Sequence, residues 1–492
     1  MKDQLQKVTG LDIYDSSLAE TDTATYFMGR RGTEKRVGFT GGPPCLPNVE
    51  RAGELDGKCV CVGPCDHDNA AGLRDLLPWT GPKCLGLATS VGLGDRLGLA
   101  TPGHVRALRS KGKGLAAVLA QQSIREMTRT RRTPQQVMDA ATYGALQEGF
   151  SQGFGSDADH LQKPEDIDAT VAAGFTMFTI DPGAHVVNGA DEMDAAALAE
   201  EFAGLDFDTL AVTPEDLTAR YAGKSFDLAG GGKVALEEVA FLRAAVKYGG
   251  AIAHTVTMYR HLCEKATGEF ELEVSVDETE SPTSPAEHFF FATELKRLGV
   301  QWVSMAPRFI GRFEKGVDYI GDLDAFRASF AQHVAVMRTI GPYKMSIHSG
   351  SDKFSIYPIA AELTDGLVHL KTAGTSYLEA VRAIARIEPG LFREILDFAR
   401  GRYETDKATY HVSADITKVP PASALADEEL ADVIDQFDAR QALHVTFGSV
   451  LTAEGGERFR KRIYAALEAD EEAHYAALAR HLGRHVAPFA RA

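Results

Sequence analysis

Along residues 270–276, FELEVSV, apolar and polar side chains alternate. Leu272, Val274 and Val276 take one side, and Glu271, Glu273 and Ser275 the other, which is the period of a strand. Residues 343–353 begin in the same way, with Met345 and Ile347 opposed to Lys344, Ser346 and His348. They end in the small polar run Ser349-Gly350-Ser351-Asp352, which suits a loop. Further β-rich runs are expected at 84–90, 153–159, 175–180, 300–305, 367–371 and 409–413. Helical stretches lie between them. Lys163-Pro164-Glu165, Thr213-Pro214 and Ser284-Pro285-Ala286-Glu287 each place a proline in a first turn, and the last adds an N-cap serine and a capping-box glutamate. Pro102 opens helical material that runs, with breaks, to about residue 147.

Eight strands, each followed by helix, are the count of a closed (β/α)8 barrel in the α/β class. An open doubly wound sheet is the alternative, but no switch-point phosphate loop marks one. The glycines at 92–98 are spaced G-x-G-x-x-x-G, which is not the dinucleotide fingerprint, and no nucleoside-triphosphate loop occurs. The expected organisation is a Gly/Pro-rich N-terminal elaboration (1–80), a TIM-like barrel (81–426) and a charged helical C-terminal region (427–492). A helical insertion at about 188–265 would follow the third strand.

Composition narrows the function classes. A net charge of −17 argues against a nucleic-acid binder, and no apolar run approaches the ~18 residues of a membrane span. The first residues, MKDQLQKVTG, lack the apolar core of a secretory signal, so a cytoplasmic location is expected. Cys45, Cys59, Cys61 and Cys65 fit no common structural zinc spacing and read as reduced thiols. The oligomeric state, including a homo-oligomer, is left open.

In a barrel the strand ends converge on one mouth. Here they would deliver Asp157, Asp159, His160, Asp181, Glu273, Arg308, His348, Lys371, His411 and Asp415. Buried charge at that density implies a metal, a charged substrate, or both. Histidines from separate strands with adjacent carboxylates suit a divalent cation with open positions. His160 and His348 are the expected ligands, with His411 or Asp159 as third, and zinc is preferred over manganese or nickel. Arg308 and Lys353 are candidates for holding an anionic group, with Ser349 and Asp181 as further substrate contacts.

The stretches GFGSDADHLQKPEDIDATVAAGFTMFTIDPGAHV, FELEVSVDETESPTSPAEHFFFATELKRLGVQWVSMAPRFIGRFEKGVDYIGD, YKMSIHSGSDKFSIYP and TYHVSAD together resemble the tagaturonate epimerase family. The resemblance spans roughly residues 80–450. It implies a metal-dependent interconversion of fructuronate and tagaturonate, with fructose and tagatose as substrates of some members, and it points to Asp159, His160, Glu273 and His348. The epimeric carbon of that substrate pair is not adjacent to the ketone. Simple proton abstraction therefore does not suffice, and a retro-aldol route is expected with Glu273 and Asp159 as acid/base groups and Lys371 beside them. A class II type sugar-acid aldolase, and a non-catalytic sugar-acid-binding barrel, are the competing readings.

Overall fold

The computed structural model describes residues 1–43 and 45–491. Eight parallel strands close into a barrel in sequence order: β1 (Ser90–Gly92), β2 (Ala116–Ser123), β3 (Gly155–Leu161), β4 (Met177–Ile180), β5 (Glu271–Ser275), β6 (Ser304–Ala306), β7 (Lys344–Ile347) and β8 (Val368–Lys371). β8 pairs back onto β1 with Lys371 opposite Gly92, and β4 pairs with β5 with Thr179 opposite Glu273. Nearly every strand residue is buried, as a sheet covered by helices on its outer face requires.

The eight-strand count holds, but its membership changes at both ends. Residues 84–90 are mostly a turn, with Gly86 at φ +58 and a hydrogen bond from the Ala88 N–H to the Leu85 carbonyl, so β1 begins only at Ser90. Of residues 409–413, Thr409 closes a 3-10 turn (Lys407–Thr409), and among the described residues none pairs with a strand. The missing member is β2, which lies inside the stretch expected to be helical. Its sequence, AAVLAQQS, consists mainly of good helix formers, and burial between β1 and β3 overrides that preference. The helical insertion does follow the 177–180 strand, but that strand is the fourth of the barrel. The insertion contains Ala195–Ala203, Pro214–Tyr221, a two-stranded hairpin and the 28-residue helix Glu238–Lys265.

The N-terminal residues form a six-stranded antiparallel sheet flanked by the helices Lys2–Thr9 and His67–Leu76. At the other end, Glu471–Val486 lies across Thr101–Lys111. Gly103 sits at their crossing, where a Cβ would fall 2.6 Å from Leu478, so only glycine allows that approach.

Candidate active site

Alternation along the strands sends every second side chain into the barrel. β3 contributes Asp157 and Asp159, β4 Thr179, β5 Glu273 and Ser275, β6 Ser304, and β8 His369 and Lys371; the missed strand β2 adds Gln121. Lys371 stands at the centre. Its Nζ lies 2.8 Å from Asp157, 2.7 Å from Asp159 and 2.7 Å from Glu273, and it donates to the Thr179 hydroxyl at 2.8 Å. Glu273 also meets His348 Nε2 and accepts from the Ser304 hydroxyl. On its other nitrogen, His348 faces Asp277 at 3.1 Å.

His160 comes next to the inward Asp159, so simple alternation would turn its ring out of the barrel. The pairing of β3 with β4 shifts register here: Phe178 opposes Ala158, whereas Ile180 opposes Leu161. His160 takes a left-handed backbone conformation, φ +54. This bulge re-aims the ring. His160 Nδ1 reaches Asp181 at 3.1 Å, and its ring centroid lies 5.2 Å from that of His348, edge to face.

Negative charge exceeds positive in this cluster, and the protonation states follow from that. Burial alone would depress His160, but Asp159, with Asp181 and Glu278, carries it up to about 10. Burial and Lys371 likewise oppose protonation of His348, and Asp277 with Glu273 prevails, raising it to about 9. Burial pushes Asp159 and Glu273 up, and Lys371 with the histidines holds both below the usual carboxylate range. For Asp157 burial wins, and its carboxyl rises to about 6.

One donor atom each from Asp159, His160 and His348 lies within 4.8 Å of the others, and the same holds for His160, Asp181 and Glu278. Two imidazoles and carboxylate oxygens form a donor set that suits zinc and its first-row neighbours. Binding a divalent cation there would displace the two imidazole protons that the carboxylates otherwise retain.

The cavity above the cluster has two lobes, with His348, Ser349, Lys315 and Tyr410 on the boundary. The narrow lobe reaches Asp159, His160 and Lys371. The wide lobe, about 350 Å³, is lined by Asp277, Glu278, Arg308 and His411 among others. That volume lies within the range of small-molecule sites, roughly 300–1,000 Å³.

Five expected residues stand elsewhere than the sequence reading puts them; of these, Asp415 is exposed, lines neither lobe and caps the 3-10 turn Ile416–Lys418. Lys353 is not at the mouth: it is fully buried and its ammonium donates to the backbone carbonyls of Glu314, Val317 and Ser351 at 2.6–2.9 Å. All three of its protons are used in holding loops. His411 lies off the barrel strands, exposed on the wall of the wide lobe, and among the described residues it joins no three-donor group. Glu273 lines neither lobe and reaches the cavity only through Lys371 and His348. Asp181 backs His160, accepting also from the Gln162 side-chain amide at 3.0 Å and the Gly183 N–H at 2.9 Å. Arg308 and Ser349 do line the wide lobe.

The sequence reading passed over Asp277, Glu278, Lys315 and Arg125. Asp277 and Glu278 come just after the inward Ser275, beyond Val276, so the strand-end rule that found His348 would have found them. Arg125, which pairs with Glu278 at 2.8 Å, follows the unrecognised strand β2. Nothing in the local sequence marks Lys315.

A family model described as UxaE, tagaturonate epimerase, matches residues 14–489. The tagaturonate/fructuronate epimerase of Thermotoga maritima is 42% identical over 479 residues, 97% of this chain and 96% of its own. Crystal structures of the fructuronate-tagaturonate epimerase UxaE of Cohnella laeviribosi, native and glycerol-bound, are similar at TM-score 0.91 and 36% identity. The matched regions cover 97% of this chain and 96% of those chains.

Proposed function

The chain belongs to the tagaturonate epimerase family, an isomerase family, and from that premise we propose that it interconverts tagaturonate and fructuronate by metal-dependent retro-aldol chemistry. The observation that carries the reading is the 42% identity across 97% of the chain, together with a family match over residues 14–489 that spans every strand of the barrel and its mouth. His160 and His348, with an oxygen of Asp159, would hold the cation. A divalent cation there supplies the positive charge that polarises the substrate ketone.

The remaining groups handle protons and charge in the two lobes. Glu278, in the wide lobe, takes the proton from the hydroxyl on the epimeric carbon. The bond from that carbon to its neighbour on the ketone side breaks, leaving an aldehyde and an enediolate. Lys371, in the narrow lobe, donates a hydrogen bond to the oxygen on which charge develops, held in place by Asp157 and Glu273. The aldehyde turns its other face, the carbon–carbon bond re-forms, and the proton returns to the new hydroxyl. Glu273 is therefore a positioning residue for Lys371 and His348. Arg308 contributes positive charge at the wide end of the cavity.

The test is product NMR after incubating the metal-loaded protein with tagaturonate, where fructuronate should appear. In deuterated water the hydrogen on the epimeric carbon should stay in place, because that C–H bond is never broken. Deuterium entering that position at the rate of turnover would overturn the retro-aldol route while leaving the epimerase reading intact.

A further inference from the structure

Most cations at the mouth already have carboxylate partners. Lys371 meets three, Arg125 pairs with Glu278, Arg96 with Glu126 and Arg312 with Glu314. Lys315 is different. Among the described residues it has no carboxylate within ion-pair distance, and the one hydrogen bond recorded for its ammonium goes to the Ser349 hydroxyl at 2.6 Å. Ser349 follows His348 directly and is held in a left-handed conformation, φ +48. Lys315 is half-buried and lines both lobes, so it stands between the metal-donor cluster and the wide cavity.

We infer that Lys315, oriented by Ser349, is the specificity-determining anchor for the substrate's carboxylate and selects sugar acids over neutral ketoses. This rests on the epimerase reading and adds to it. Three observations support the assignment. First, an ammonium with two donors left over can bind a carboxylate oxygen without first breaking an ion pair. Second, Asp277 and Glu278 share the wide lobe, so an anionic substrate group meets repulsion there unless a cation offsets it. Lys315 already acts on both carboxyls, helping to hold them below the usual carboxylate range. Third, the other unpaired cation of that lobe, Arg308, is partly committed: one of its terminal nitrogens donates to the Thr279 carbonyl, and its Nε is buried without a partner. Lys315 lines both lobes, whereas Arg308 lines only the wide one.

The test compares a charged and a neutral ligand. Tagaturonate turnover and the affinity for tagatose, read as competition against tagaturonate, are measured for wild type, Lys315→Met, Lys315→Arg and Ser349→Ala. Loss of a charge-assisted hydrogen bond should raise the tagaturonate KM about 10–150-fold in Lys315→Met. The tagatose inhibition constant should shift far less, Lys315→Arg should recover part of the loss, and Ser349→Ala should show a smaller rise of the same kind. An equal loss of both ligands in Lys315→Met, or a tagaturonate KM that does not move, would overturn the inference. Wild-type protein that fails to turn over tagaturonate would instead overturn the functional reading on which it rests.

Discussion

Replacing Lys371 with methionine tests whether the barrel floor is held together by charge. The lysine side chain is 4% exposed, and its ammonium touches Asp157, Asp159 and Glu273 within 2.8 Å. Methionine has a similar length and lacks the charge, so the packing changes little. Three buried carboxylates then face one another with only the two histidines and, near Asp157 and Glu273, Lys344 to offset them. Breaking a buried ion pair from one side costs roughly 3–5 kcal/mol, and that loss is expected at neutral pH. Its pH dependence follows from the carboxyl groups. In the native protein burial pushes Asp159 and Glu273 up, but Lys371 and the histidines hold them below their unfolded values, so they stabilise the fold above about pH 4 and cease to do so as pH falls. Without the lysine, burial is less opposed and the folded values rise. The folded variant then takes up protons ahead of the unfolded chain, which relieves it by up to about 1.4 kcal/mol per pH unit for each such group. The deficit relative to wild type should therefore be largest near pH 7.5 and shrink toward pH 5.5. Urea unfolding of both proteins in chelator, followed by circular dichroism at the two pH values, measures it. A deficit below about 1 kcal/mol at pH 7.5, or one equal at both pH values, would refute this account of the floor.

Two further outcomes test the assignment of the histidines and of Lys353. His160→Ala and His348→Ala should each lower bound metal well below one per chain, and chelation should abolish turnover; stoichiometric metal in both variants would remove them as ligands. Their losses should exceed the ~10–100-fold typical of residues that only orient a ligand. Lys353→Met should leave three buried carbonyls short of a donor and destabilise the fold by at least about 1–3 kcal/mol, while the preference for tagaturonate over tagatose stays as in wild type. A loss of that preference without a fall in melting temperature would return Lys353 to the substrate site.

The strands that could be read from sequence are those whose inward positions carry the chemistry. In β5 and β7 a polar residue alternates with an apolar one, because the inner face holds the site and the outer face meets helices. β2 shows no such alternation: an apolar run, Ala116–Ala120, is followed by Gln121 and Gln122 in succession, so nothing in its pattern distinguishes it from a buried helix. His160 was expected in the mouth on the strength of a simple strand end. It arrives there because a bulge interrupts the alternation, a register feature that no single sequence displays. Lys353 follows the mouth loop in sequence, and its position there predicts a mouth cation. The loop instead turns back into the protein, and the side chain fills a cradle of carbonyls whose members lie up to 39 residues away.

The same loop explains why the C-terminal helices belong to the functional unit. Asp352, four residues beyond His348, is buried and in a left-handed conformation, φ +63. Its carboxylate meets His481 Nε2 at 2.6 Å and accepts from Arg440 at 3.0 Å, and its backbone N–H donates to His485 Nε2 at 2.9 Å. Arg440 Nε in turn donates to the carbonyl of Gly316, the residue after Lys315. The loops after β6 and β7 are thus tied to one buttress formed by Phe437–Val445 and Glu471–Val486. Asp352, His481 and His485 come close enough together to resemble a second metal site. Here His485 Nε2 accepts the Asp352 N–H and both Asp352 oxygens are engaged, and these bonds fix the loop. The arrangement serves to hold His348, Ser349 and Lys315 in register with the barrel, which is the precision that the proposed bond cleavage and recombination at one carbon would demand.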